Sequence, residues 1–170
     1  MMTGQRSDKQ RVRIHVTSRQ QHECVELRVE GDLYYKGNSM YIRYIEPAPE
    51  EEQTKQQSGS SQHATLLPDT TVMLKLSAEE WKLSRRGHVQ SEMSFAKERS
   101  LQGAYRSEVL RFPLVTRTRR MERKDVPIRL SDGSETLFPS YIGWSYDLYI
   151  EEKCTGQFEI EMRLELAHEN

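Results

Sequence analysis

No stretch of this chain approaches the ~20 consecutive apolar residues that an α-helix needs to cross a bilayer. Met1 to Arg13 is polar and lacks the apolar segment of a secretory signal, so the expected compartment is the cytoplasm. Cysteine is scarce. Cys24 and Cys154 lie far apart, in no CxxC and beside no histidine at ligand spacing. They are expected as free thiols, with no metal site and no cofactor. An excess of one charge is missing too: 25 Lys+Arg face 26 Asp+Glu. That balance excludes a strongly basic nucleic-acid arm or an acidic tail as the dominant character. Catalytic signatures are absent. His15, His22, His63, His88 and His168 are scattered, and there is no HExxH, no GxSxG and no phosphate-cradling glycine loop. Glu159 and Glu161 share an outer strand face and read as solvation rather than as an acid–base pair. The expectation is a protein that is not an enzyme. Apolar residues are few as well, 35% of 170, against about 45–50% in ordinary domains on a count that includes Gly.

What the chain does have is a period of two. Val12, Ile14 and Val16 alternate with Arg13 and His15; Val25, Leu27 and Val29 alternate with Glu26 and Arg28. The same holds from Ile142 to Ile150 and from Phe158 to Leu166. Successive side chains on a strand point to opposite faces, so each run has one apolar and one wet face. This predicts antiparallel sheet with one side solvated. Shorter runs follow at Leu33–Lys36, Met40–Glu46, Thr71–Leu76, Trp81–Arg86, Gln90–Ala96, Ala104–Ser107, Val109–Thr116 and Val126–Leu130. Gly31-Asp32, Gly37-Asn38, Arg86-Gly87-His88, Ser131-Asp132-Gly133 and Lys153 to Gly156 supply turn or break signals. Ser77-Ala78-Glu79-Glu80 resembles a helix N-cap, but the spacing of Trp81 and Leu83 predicts a hairpin turn there. About ten short strands favour a barrel or sandwich, in one domain over residues 11–167 behind a flexible N-terminus, 1–10. Pro47 to Asp69, rich in Gln, Ser, Glu and Pro, reads as a mobile loop inserted between two strands. Arg117 to Lys124 reads as a basic solvated hairpin outside the core, and Asp132 to Pro139 as a polar loop.

A family resemblance then appears, carried by Val12-Arg13-Ile14-His15-Val16, Glu26 to Gly31, Leu33 to Lys36 and Met40 to Glu46. Thr71 to Lys75, Arg86-Gly87-His88-Val89, Met93-Ser94-Phe95, Tyr105, Thr116 and Tyr146-Asp147-Leu148 continue it. In order and spacing these resemble the YwiB-like family of Bacillus-type bacteria, a domain of unknown function with a lipocalin-like (calycin-type) barrel. The resemblance implies an all-β, antiparallel up-and-down barrel of about eight to ten strands, and it implies no catalytic residues. The segments 47–69 and 117–139 are longer than that family leads one to expect.

Closing such a sheet turns the alternating apolar positions inward, where they either fill the barrel or line a small-molecule pocket. The candidate ligand-binding set is Tyr35, Tyr44, Arg85, Met93, Phe95, Tyr105, Thr116, Trp144 and Tyr146. Arg85 shares parity with Trp81 and Leu83, so it points inward if its strand is regular. An inward arginine must be paired or reach water, and a ligand carboxylate is one possible partner. The functional expectation is non-enzymatic binding of a small apolar or anionic molecule. The alternative is a protein- or RNA-interaction module using the basic segment 111–124, which holds Arg111, Arg117, Arg119, Arg120, Arg123 and Lys124. Nucleic acid is the less favoured partner, since aromatic interleaving is poor there.

Overall fold

The computed structural model describes residues 9–47 and 69–167. They form ten strands: β1 Lys9–Gln20, β2 Glu23–Lys36, β3 Ser39–Glu46, β4 Thr70–Leu76, β5 Trp81–Arg86, β6 Gln90–Phe95, β7 Ser100–Arg106, β8 Arg111–Arg129, β9 Glu135–Ile150 and β10 Lys153–Leu166. Each strand pairs antiparallel with the next, and β1 pairs with β10 to close the barrel. Closure pairs the wall of the barrel on both sides, so that unpaired edge is largely confined to the lower parts of β8 and β9. The connections after odd-numbered strands lie at one end, here the upper end; those after even-numbered strands lie at the lower end.

The period-two reading sets the inner face. Val12, Ile14, Leu33, Ile42, Val72, Leu74, Leu76, Phe95, Trp144 and Met162 are each at most 2% exposed and form one core. Several expectations are corrected. Gly31-Asp32 does not break β2. Gly31 faces inward opposite Val12 and Tyr44, where a Cβ would collide with the Arg43 carbonyl oxygen and lie 2.8 Å from Ile14 Cδ1. The glycine serves close approach within a strand, not a turn. Lys9 and Gln10 belong to β1 rather than to a flexible terminus. β7 starts at Ser100, and Val109 sits in the turn before β8. The last hairpin turns tightly at Glu151-Glu152, both with positive φ (52° and 65°), so Lys153 already lies in β10. Most of the expected loop insertion, residues 48–68, lies outside the described residues.

The largest correction concerns β8 and β9. Arg117–Lys124 is no separate hairpin but the middle of a 19-residue strand. Asp132–Pro139 is not all loop, since β9 begins at Glu135, and Phe138 and Pro139 are buried. Register shifts at Thr118/Arg120 and Lys124/Asp125 bend the pair, as bulges do. From Asp125 to Ser140 the two strands pair only with each other and form an arm that folds across the lower end. Phe138 (3% exposed) joins the core, with Ile128 packed against it. The Tyr35 hydroxyl on β2 donates to the Leu137 carbonyl at 2.7 Å, and the Arg123 guanidinium approaches Met40 Sδ on β3 at 3.0 Å. Neither β2 nor β3 borders β8 or β9 in the sheet, so these contacts cross the barrel's end.

Candidate functional site

The middle of the lumen is filled. The Trp144 ring lies 5.9 Å from Trp81 and 5.5 Å from Phe95; Phe95 lies 4.7 Å from Tyr146, which stacks on Phe158 at 5.2 Å. Such offset and edge contacts are what aromatic packing favours. Phe95 and Trp144, expected to line a pocket, are therefore first of all the packed centre of the barrel.

Above this plug the polar groups gather. Arg85 on β5 lies opposite Val72 on β4 and Ser91 on β6, and so faces inward as its parity predicts. It donates to Glu46 on β3 at 2.5 Å, and the two side chains are 34% and 36% exposed. Its charge is felt by two phenols, Tyr44 on β3 and Tyr146 on β9. Burial pushes the Tyr44 hydroxyl up to about 12, with Arg85 opposing and Glu46 adding to the rise. Burial likewise pushes Tyr146 up to about 12, again opposed by Arg85. Both phenols therefore stay protonated and act as hydrogen-bond donors near neutral pH. No hydrogen bond contributes to either shift. At the plug itself and beside the β6–β7 turn, two buried side-chain atoms on the inner face have no partner among the described residues: Trp144 Nε1 and Thr118 Oγ1, in residues 0% and 1% exposed. Buried polar atoms without a partner are uncommon and ask for one.

The remaining expected residues divide. Tyr35 lies at the lower end and is engaged by the arm. The Thr116 hydroxyl donates to the Ser94 carbonyl at 2.5 Å, a contact that reaches past β7. It helps hold a seam where β6 and β7 share only three register pairs. Tyr105 stacks on Phe112 at 4.6 Å, half-buried at the upper end. Met93 is half-buried on the inner face beside Leu83. The structure thus brings Tyr44, Arg85 and Tyr146 together with Phe95 and Trp144, and draws Tyr35 and Thr116 into other work. Sequence reasoning missed Glu46 and Thr118. Parity could have found both, since Glu46 follows Ile42 and Tyr44, and Thr118 follows Leu114 and Thr116. Thr118 was hidden by the arginines around it.

The basic segment is not a continuous free surface. Arg119 makes two contacts with buried Asp147, at 2.8 and 2.7 Å; Arg120 reaches Glu122 and Glu159; and Arg123 reaches Asp125. An open hollow of about 670 Å³ lies at the lower end, lined by Trp81, Arg99, Met121 and Arg123 among others. Among the described residues no group of three or more His, Cys, Asp or Glu is placed to hold a metal, and Cys24 and Cys154 are free and exposed.

Fold and inner wall define the class: a closed antiparallel ten-stranded barrel of lipocalin-like form, plugged at its centre and polar at one end. Residues 11–162 match the Domain of unknown function (DUF1934), and the chain belongs to that family. The crystal structure of the ywiB protein from Bacillus subtilis superposes with a TM-score of 0.67 at 19% identity, covering 95% of this chain and 94% of that one. At that identity the likeness speaks for the fold. No curated protein sequence matches the chain.

Proposed function

We propose that the barrel binds a small molecule at its upper end, one with an apolar body and an anionic or acceptor-rich head. One observation carries the reading: the Arg85–Glu46 pair and the buried Tyr44 and Tyr146 phenols meet on the inner wall above the aromatic plug. Such a donor set satisfies acceptors, and a carboxylate or similar head supplies them. Glu46 holds Arg85 while the site is empty, and the head displaces or joins it. Half-buried Leu27, Phe112 and Phe158, all on inner-face positions, offer apolar surface for the body. The barrel then acts as a binding protein rather than an enzyme. No helix of the described residues is long and apolar enough to cross a membrane, and a cytoplasmic site of action is part of this proposal.

The test is native mass spectrometry of the protein isolated from its source, followed by melting-temperature screening of medium-chain carboxylic acids and their methyl esters. A retained mass, or acids that stabilise the protein where esters do not, supports the reading. An Arg85→Met, Tyr146→Phe double variant that keeps the same response overturns it.

A further inference from the structure

A separate feature sits on the outside of the upper end. Arg86 on β5 lies opposite Gln90 on β6, Gln90 lies opposite Arg106 on β7, and Arg106 lies opposite Arg111 on β8. All three arginines are exposed. Cross-strand partners place their Cβ atoms about 4.5–5.5 Å apart, and like charges directly opposite one another are destabilising. Arg106 and Arg111 are such a pair. Elsewhere on the outer wall several cations are neutralised by an acid: Arg11 meets Glu30 and Asp32, Arg19 meets Glu161, Lys82 meets Glu92, and Arg119 meets Asp147. Among the described residues, Arg86, Arg106 and Arg111 make no ion pair, although Glu108 sits in the turn between the last two.

The row is also held in place. In the β7–β8 turn the Ser107 N–H donates to the Leu110 carbonyl at 2.7 Å, and Ser107 Oγ accepts the Leu110 N–H at 3.1 Å. Beneath it, Tyr105 stacks on Phe112 and fixes the same register from the inner face. Between Arg86 and Arg106 the wall dips into a hollow of about 190 Å³, floored by Ala104 and Ser84 and flanked by Gln90. Glu92 also lines it, but its carboxylate is engaged by Lys82. At the neighbouring position a side chain on Gly103 would collide with the Glu92 carbonyl oxygen, so β6 and β7 approach closely just there.

From this arrangement we infer a second, external site that takes a phosphoryl group of a small phosphorylated molecule, gripped by Arg86, Arg106 and Arg111 with Gln90 as a neutral donor. A di-anion between these side chains removes a repulsion that the empty protein carries, and arginine forks suit phosphate oxygens. The hollow is too small for more than the head group, so the rest of the ligand lies outside it. Arg85 and Ser91, whose register faces the lumen, also border the hollow, so the external and luminal sites are neighbours across the wall.

Pyrophosphate is the probe, titrated against melting temperature at constant ionic strength. The wild-type protein is stabilised in a saturable way. Arg106→Ala and Arg111→Gln weaken the half-saturating concentration at least tenfold, whereas Arg13→Ala, on the outer face of β1, responds as wild type. Without pyrophosphate, Arg106→Ala melts no lower than wild type, because it relieves the like-charge pair; a role in holding the sheet would lower it. A second arm compares a short oligoribonucleotide with and without a 5′-terminal phosphate, and binding that needs the terminal phosphate supports the proposal. Absence of a saturable shift overturns the proposal. So does an unchanged response in both arginine variants, a lower melting temperature of unliganded Arg106→Ala, or equal binding of the two oligoribonucleotides.

Discussion

The two ends of the barrel are built from the same alternating strands and finished in opposite ways. At the lower end an arm of β8 and β9 folds over the opening, buries Phe138, and hydrogen-bonds across to Tyr35. At the upper end no described element crosses the lumen, and the inner wall carries an ion pair and two buried phenols. The lower end shows how such a barrel is closed by packing: a buried aromatic ring and a hydrogen bond across the opening. The upper end departs from that pattern, and the binding proposal rests on the departure. Local rules broken without a structural gain tend to mark functional places.

That contrast can be broken from the middle outward. Trp144→Ala removes the plug that both ends rest on, and it is expected to cost about 3–5 kcal/mol in denaturant unfolding. A smaller loss would mean that the ends are independently packed. Phe138→Ala acts on the lower end alone, with an expected cost of about 3 kcal/mol and faster amide exchange in residues 125–140. If exchange also quickens around Tyr44, the two ends are coupled.

Alkaline pH acts on the upper end. The Tyr44 and Tyr146 phenols ionise in the folded state at about 12, against an ordinary value of 10.0. A raised folded value means that their stabilising contribution is fully present below pH 10 and is lost as pH climbs toward 12. The loss is on the order of 2–3 kcal/mol per phenol, at about 1.4 kcal/mol per unit. Tyr44→Phe is expected to flatten part of this decline in thermal melts, and an identical decline in the variant refutes the assignment. Tyr35→Phe leaves the Leu137 carbonyl without its donor at the lower end and is expected to cost about 1 kcal/mol. The smallest effect belongs to Arg85→Met. Its ion pair is about one-third exposed, so breaking it changes stability by about 0–1 kcal/mol while abolishing the ligand response. A large loss of stability there would make Arg85 a structural residue and leave the upper end no different in kind from the lower.

Legibility in the sequence followed the range of the interaction. The inner face of β10 could be read residue by residue, because Phe158, Ile160, Met162 and Leu164 keep strict alternation. Arg85 could be read as inward by the same parity, and it is. β8 could not. Its arginines made Arg117–Lys124 look like solvent-exposed hairpin, whereas bulges at Thr118/Arg120 and Lys124/Asp125 let one long strand serve both wall and arm. A bulge shifts parity by one residue, so alternation read across it misplaces every side chain beyond. Gly31 misled for a similar reason: a glycine needed for backbone approach looks the same as one needed for a turn. The hydroxyls of Tyr35 and Thr116 were correctly placed on the inner face, but their acceptors, Leu137 and Ser94, belong to strands that no local pattern connects to them.

By itself the sequence determined most of the strands and, away from the bulges of β8 and β9, their inward and outward faces, and hence an antiparallel barrel with its aromatics inside. The reason is that side-chain alternation is a property of each strand alone. Only the tertiary structure decided which end is covered, which donors are left without acceptors, and which arginines stand together without an acid. Those depend on register around a closed ring, where residues far apart in the chain become neighbours.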